Sequence, residues 1–259
     1  MAYVEAIHRG EGETGVLLLH GLTGTPYDVA GMAEALAEHG HAVRAPHLAG
    51  HRDLEALERT TWQDWYASAE EAFDALYRGG RCRVVVVGFS MGSLLALRLA
   101  ALRGADLRGV VSISVPLAFD PWKRKAIAAL ARMRSHPRLH GLVGVLPKRG
   151  GPDVRIRREA DTSPSLRGFP YPTLAELVAL QTEVYDLLPH VRVPLLLVHG
   201  RYDHTTPPEQ SRRVAQRVSS PRVDLRILPH SFHIVGVDLD RTQLGRDVVE
   251  FVDSVLHEP

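Results

Sequence analysis

The chain has 259 residues, with 31 Lys and Arg against 30 Asp and Glu and a formal net charge of +1. That length suits one large domain or two small ones with a sizeable core. The 45% apolar and 24% charged content excludes disordered and collagen-like chains. The near-neutral balance removes the long-range field of a nucleic-acid binder, so no such partner is expected.

The single cysteine, Cys82, excludes an internal disulfide and a cysteine-rich metal site. Residues 1–15 carry early acidic residues and no apolar core of a leader, and the longest apolar runs, such as Val16–Leu19, are strand-sized. The expectation is a cytoplasmic protein without signal peptide or transmembrane segment. Monomer and homodimer both remain open.

Along the chain, Val16–His20, His41–Ala45, Val84–Gly88, Val110–Ser114, Pro194–His199 and Val223–Leu228 read as strands. The run Val84-Val85-Val86-Val87 is apolar at every position, which suits a parallel strand covered on both faces. Helical patterns lie between. Thr25-Pro26 reads as an N-cap and first-turn pair, ahead of Val29, Met32, Ala33 and Leu36 on one face. Thr60 with Gln63 reads as a capping box ahead of the stripe Trp62, Trp65, Tyr66, Ala69, Phe73 and Leu76. A last helix carries Leu244, Val248, Phe251, Val252 and Val255. Strands alternating with helices predict an α/β fold with a mostly parallel sheet flanked by helices.

One stretch interrupts this rhythm. Residues 117–190 contain no convincing buried strand, hold 8 of the 17 prolines, and carry 12 basic against 7 acidic residues. A long, partly helical insertion of this kind is either a solvated excursion or a lid over a pocket.

The strongest chemical signal is Gly88-Phe89-Ser90-Met91-Gly92, between the valine strand and the helical run from Ser93. Strand, G-x-S-x-G turn and helix is the setting of a nucleophile elbow, which exposes the serine at the sheet edge. A serine needs a base that a carboxylate orients, here expected in the order Ser, acid, His. Asp203 follows the strand ending at His199, and His233 follows the strand ending at Leu228; both loops should open on the edge that carries Ser90. His230 competes with His233 but sits close to the strand end. Asp238 and Asp240 compete with Asp203 but lead towards the last helix, and His204 reads as a loop residue. His230 and His233 lack a third ligand at sensible spacing, so no metal is expected. The developing oxyanion needs backbone donors. Met91 N–H follows the nucleophile, and Leu22 N–H lies in the Gly-containing loop His20-Gly21-Leu22-Thr23-Gly24.

These residues resemble the α/β-hydrolase superfamily, and within it the bacterial carboxylesterase and monoacylglycerol lipase branch. The likeness runs through Gly15–Pro26, Gly50-His51, Glu58–Trp65, the elbow, Asp203 with Pro207-Pro208, and Ser231–His233 with Asp238. It implies a triad of Ser90, Asp203 and His233, oxyanion donors at Leu22 and Met91, and no cofactor. It also implies a core of residues 1–116 and 191–259 with a small, mainly helical cap at 117–190. Three positions depart from the branch pattern. Leu22 stands where Phe is frequent, the loop at His51 is short, and Ser93 replaces a second glycine.

The expected reaction is hydrolysis of short-to-medium-chain esters or monoacylglycerols through an acyl-enzyme. Thioesterase and other triad chemistry on this fold is the alternative, followed by a non-catalytic ligand-binding protein. Transient contact with a lipid interface is a further expectation from the basic insertion.

Overall fold

The computed structural model describes residues 5–78, 83–148 and 150–257. Cys82 and Arg149 fall outside the described residues. Seven described strands form one sheet: β1 (Ile7–Arg9), β2 (Thr14–Leu19), β3 (Ala42–Ala45), β4 (Arg83–Phe89), β5 (Leu107–Ile113), β8 (Leu195–Gly200) and β9 (Val223–Leu228). Their spatial order is β1-β3-β2-β4-β5-β8-β9. β1 runs antiparallel to β3, and every other neighbouring pair in this sheet is parallel. A two-stranded ribbon, β6 (Leu146–Pro147) with β7 (Gly168–Phe169), lies apart from it.

The helices cover both faces. On one side lie α2 (Leu54–Glu58), α3 (Trp62–Arg78), α4 (Met91–Arg103) and α7 (Tyr171–Leu187). On the other lie α1 (Ala30–Glu38) and α9 (Arg241–His257). The remaining helices are α5 (Pro121–Ser135), α6 (Arg157–Thr162) and α8 (Glu209–Arg217).

This arrangement explains the valine strand. Val84 and Val86 face the side of Trp65 and Phe73, whereas Val85 and Val87 face that of Met32 and Phe251. Side chains alternate along a strand, so a central strand between two helical layers must be apolar at every position.

The predicted strands are all present, with boundaries shifted by up to three residues. β1 escapes the sequence reading because three half-exposed edge residues carry too little periodicity. The Thr25 cap with Pro26 in the first turn is present, but it opens a short 3₁₀ turn, Pro26–Val29, where Asp28 completes a capping box. The Thr60 box is displaced by one residue. Asp64 accepts from the backbone N–H and hydroxyl of Thr61, both at 2.8 Å. Thr60 instead donates to Leu57 O and accepts the indole N–H of Trp65. Within the described residues no helix is long and apolar enough to cross a membrane.

The 117–190 segment is fastened unevenly. α7 buries Leu177, Leu180 and Val184 in the main core, while α5 buries Ala131 alone. The stretch from Asp153 to Leu166 is tied by hydrogen bonds to loops at the carboxyl edge of the sheet. Leu166 N–H donates to Thr23 O, Ile234 N–H to Asp153 O, and Tyr27 hydroxyl to Glu159.

The sheet interior generates a stability prediction. Leu18 on β2 is fully buried, and Leu18→Ala should cost about 2–5 kcal/mol, measured by urea unfolding of the variant against wild type.

Candidate active site

Ser90 joins β4 to α4 with φ 53° and ψ −119°, a left-handed conformation that a non-glycine residue adopts only when its surroundings enforce it. The flanking glycines are a steric requirement. A Cβ on Gly88 would stand 2.1 Å from Gly92 O, and one on Gly92 would stand 2.1 Å from Leu19 O. Ser93, the departure from the branch pattern, takes up hydrogen bonds at the same joint. Its hydroxyl lies 2.7 Å from Gly88 O and 2.8 Å from Ile113 O, and it accepts Ile113 N–H at 3.0 Å. The elbow is thereby pinned to β5.

Three sequence-predicted side chains converge there. His233 Nε2 lies 3.0 Å from Ser90 Oγ, and His233 Nδ1 lies 2.8 Å from Asp203 Oδ2. Asp203 sits in the loop after β8 with its carboxylate sealed from solvent. Its Oδ1 accepts Thr205 N–H and Thr206 N–H at 2.9 and 2.7 Å, and its Oδ2 accepts the Thr206 hydroxyl at 3.0 Å. Burial alone would raise the pKa of Asp203. The adjacent charge of His233 and hydrogen bonds from His199 and His233 outweigh it and hold the carboxyl well below the usual range. Burial likewise pushes His233 down, but Asp203 prevails and the imidazole stands above its ordinary value of 6.5.

The competing residues have other tasks. His230 is exposed, and its backbone N–H donates to Asp240 at 2.8 Å. Asp238 is buried and accepts the N–H groups of Phe232, Arg155 and Ile156. Both carboxylates thus shape the histidine loop. His204 pairs with Asp153 at 2.9 Å. Among the described residues, no three His, Cys, Asp or Glu side chains are grouped to hold a metal.

Met91 opens α4, so its N–H is one of the helix's first four and has no acceptor within it. Leu22 and Ser90 line one cavity. A Cβ on Gly21 would lie 3.1 Å from Ser90 Cβ, which shows how closely this loop passes Ser90. His20 fixes the loop from behind. Its Nδ1–H donates to Gly21 O at 2.9 Å and its Nε2 accepts Leu48 N–H at 3.2 Å. Burial, reinforced by His51, holds His20 well below the ordinary imidazole value and therefore neutral.

The cavity measures about 790 Å³, and Phe119, Ile127, Leu130, Phe169, Leu174 and Leu177 contribute apolar wall. Two charges on that wall, buried Asp28 and half-buried Lys148, escaped the sequence reading. Burial pushes Asp28 up to about 6, and it pushes Lys148 down to about 8 against the opposing pull of Asp28. Nothing in a single Asp or a single Lys signals such pairing across 120 residues of chain.

A parallel sheet bearing a strained serine elbow, with acid and histidine on later loops, defines the α/β-hydrolase class. The chain belongs to the family described as serine aminopeptidase, S33, whose model matches residues 10–240. It is 33% identical over 250 residues to the thermostable monoacylglycerol lipase of Bacillus sp. strain H-257, covering 95% of this chain and 93% of the relative. It is 24% identical over 248 residues to a carboxylesterase of Bacillus subtilis strain 168, covering 94% of each. A solved structure from work on the metagenome-derived lipolytic enzymes LipS and LipT superposes with a TM-score of 0.84. That pair is 27% identical, with 96% of this chain and 97% of the other covered.

The electrostatics predict a pH profile. A base role for His233 would require the neutral imidazole, so kcat/KM should rise with pH through a midpoint above 6.5. Asp203→Asn removes the charge that opposes burial. It should move that midpoint down and lower kcat by up to about 10⁴-fold. Steady-state rates on a soluble ester from pH 5 to 9 test both; an unmoved midpoint contradicts the assignment.

Proposed function

We propose that the protein is a serine ester hydrolase in which Ser90 is the nucleophile, His233 the general base and acid, and Asp203 the orienting carboxylate. The observation that carries this reading is the continuous relay Ser90–His233–Asp203, at 3.0 and 2.8 Å, opening into an apolar cavity.

In the proposed reaction His233 Nε2 takes the Ser90 hydroxyl proton as Oγ attacks the ester carbonyl. Met91 and Leu22 N–H groups receive the developing oxyanion. Collapse breaks the bond to the alcohol oxygen, which leaves with the proton from His233. Water then gives a proton to His233 and adds to the acyl-enzyme; collapse returns the proton to Ser90 Oγ and frees the acid. No cofactor enters this scheme.

Residues 117–190 are proposed as the cap, with residues 1–116 and 191–259 as the core. The apolar wall suits short-to-medium acyl chains or monoacylglycerols, in keeping with relatives named monoacylglycerol lipase and carboxylesterase. The family description raises peptide substrates as the second reading. An aminopeptidase needs a carboxylate for the substrate's α-ammonium. Asp153 on the cavity wall is already engaged by His204 and Thr205, and Asp28 is opposed by Lys148. Ester hydrolysis therefore fits better.

The test is a series of p-nitrophenyl esters from acetate to palmitate, beside monoacylglycerols, acyl thioesters and aminoacyl anilides. Wild type should cleave short or medium esters. Ser90→Ala should lose roughly 10⁴-fold or more in kcat and fail to react with an active-site serine probe. Equal inactivity of wild type and variant on every ester overturns the reading.

The cap also supports contact with a lipid surface. Helix α5 carries Lys123, Arg124, Lys125, Arg132 and Arg134 with no acidic residue, and Trp122 beside the cavity is 67% exposed. Apolar anchors with basic neighbours bind anionic interfaces. Hydrolysis of monoacylglycerol in anionic vesicles should fall with added salt and with Lys125→Glu, an exposed α5 residue off the cavity wall, while soluble-ester turnover stays constant. A salt-independent vesicle rate rejects this contact.

A further inference from the structure

In the sequence His199 is only the last residue of the predicted strand Pro194–His199, with no chemical signal around it. In the fold its side chain is fully buried directly behind Asp203. His199 Nε2 lies 3.0 Å from Asp203 Oδ2 and 2.9 Å from Thr206 O. A backbone carbonyl only accepts, so Nε2 carries the proton and shares it between that carbonyl and the carboxylate. On the other side of the ring, Nδ1 lies 2.8 Å from the hydroxyl of Ser211 on α8. Ser211 is itself buried, and its hydroxyl is the hydrogen-bond partner of Nδ1.

Asp203 Oδ2 therefore lies between two imidazoles, His233 at 2.8 Å and His199 at 3.0 Å. We propose that His199 is a positioning residue for Asp203: a second imidazole that fixes Oδ2 and shares its negative charge with His233. The inference rests on the reading of Asp203 as the orienting acid.

The hold of His199 on Asp203 has two parts. A carboxylate can rotate about its last bond, and such terminal torsions have broad wells. The Thr205 and Thr206 N–H groups hold Oδ1; His199, with the Thr206 hydroxyl, holds Oδ2 from the side opposite His233. The second part is electrostatic. A hydrogen bond from His199 stabilises the carboxylate and reduces the charge available to hold a proton on His233. The groups bearing on His233 are Asp203 and Asp153, which favour its charged form, and Lys148, which opposes it. His199 acts on this set through Asp203.

The experiment compares His199→Leu with His199→Gln, whose amide N–H reaches towards Asp203. His199→Leu should lower kcat on a soluble ester about 10- to 100-fold, the scale of a displaced catalytic group, with KM nearly constant. Its acidic limb should move to higher pH because His233 then faces the undivided charge of Asp203. His199→Gln should recover most of kcat and return the limb towards wild type. An unmoved limb, with Gln no better than Leu and the loss tracking the folded fraction, makes His199 merely structural and overturns the proposal.

A second measurement does not depend on turnover or on the variants folding. In ¹⁵N-histidine NMR of the wild-type protein, His199 should carry a proton on Nε2, directed at Thr206 O and Asp203 Oδ2. A ring with its proton on Nδ1 alone overturns the proposal. If Asp203→Asn leaves turnover untouched, the triad reading fails instead, and the NMR result still reports on His199.

Discussion

The backbone of Ser90 is the constraint on which the site depends. A non-glycine residue held at positive φ costs on the order of 1–3 kcal/mol, so neighbours must remove every alternative. Here they do so with backbone contacts. Gly88 and Gly92 let the strand and helix close to distances that admit no Cβ, and Ser90 N–H donates to Ile113 O at 2.8 Å. The Ser93 hydroxyl ties Gly88 and Ile113 into the same knot. The helix beyond this knot is buried along much of its length, so the serine oxygen is aimed by the largest packed layer of the protein rather than by a loop.

The other two members of the relay are held differently, because they sit on loops. Their rigidity comes from buried carboxylates that collect backbone N–H groups. Asp203 closes its own turn, Asp240 receives His230 N–H and the Ser231 hydroxyl, and Asp238 joins the histidine loop to Arg155 and Ile156 of the insertion. Charged acceptors make hydrogen bonds roughly twice as strong as neutral ones, which lets short irregular segments hold a catalytic geometry. The same bonds make the 153–166 stretch a continuation of the active-site loops.

Much of this was legible in sequence, for identifiable reasons. The valine strand, the elbow and the order Ser90, Asp203, His233 are local signals whose chemistry demands particular residues at fixed spacing. The fold and the family resemblance are borne out by the sheet and by the relatives. Tasks that depend on long-range placement stayed hidden. Asp238 and Asp240 looked like alternative acids because a carboxylate that caps a loop has the same letter as one that orients an imidazole. His199 looked like an ordinary strand residue, because its partner Ser211 arrives from a helix 12 positions away. The Thr60 box missed by one position because Trp65 and Leu57 claim that hydroxyl.

The uneven fastening of the insertion has a consequence for how such a protein diversifies. Helix α5 buries one alanine and lies against α7, yet Trp122, Ile127 and Leu130 from it face the cavity. Substitutions along this helix alter the volume and polarity of the cavity while disturbing almost none of the core. The wall from Asp153 to Leu166 has no such freedom, since it shares hydrogen bonds with the loops that carry Asp203 and His233. Changes of selectivity are therefore structurally cheapest on one side of the cavity, while the opposite side is tied to the loops of Asp203 and His233.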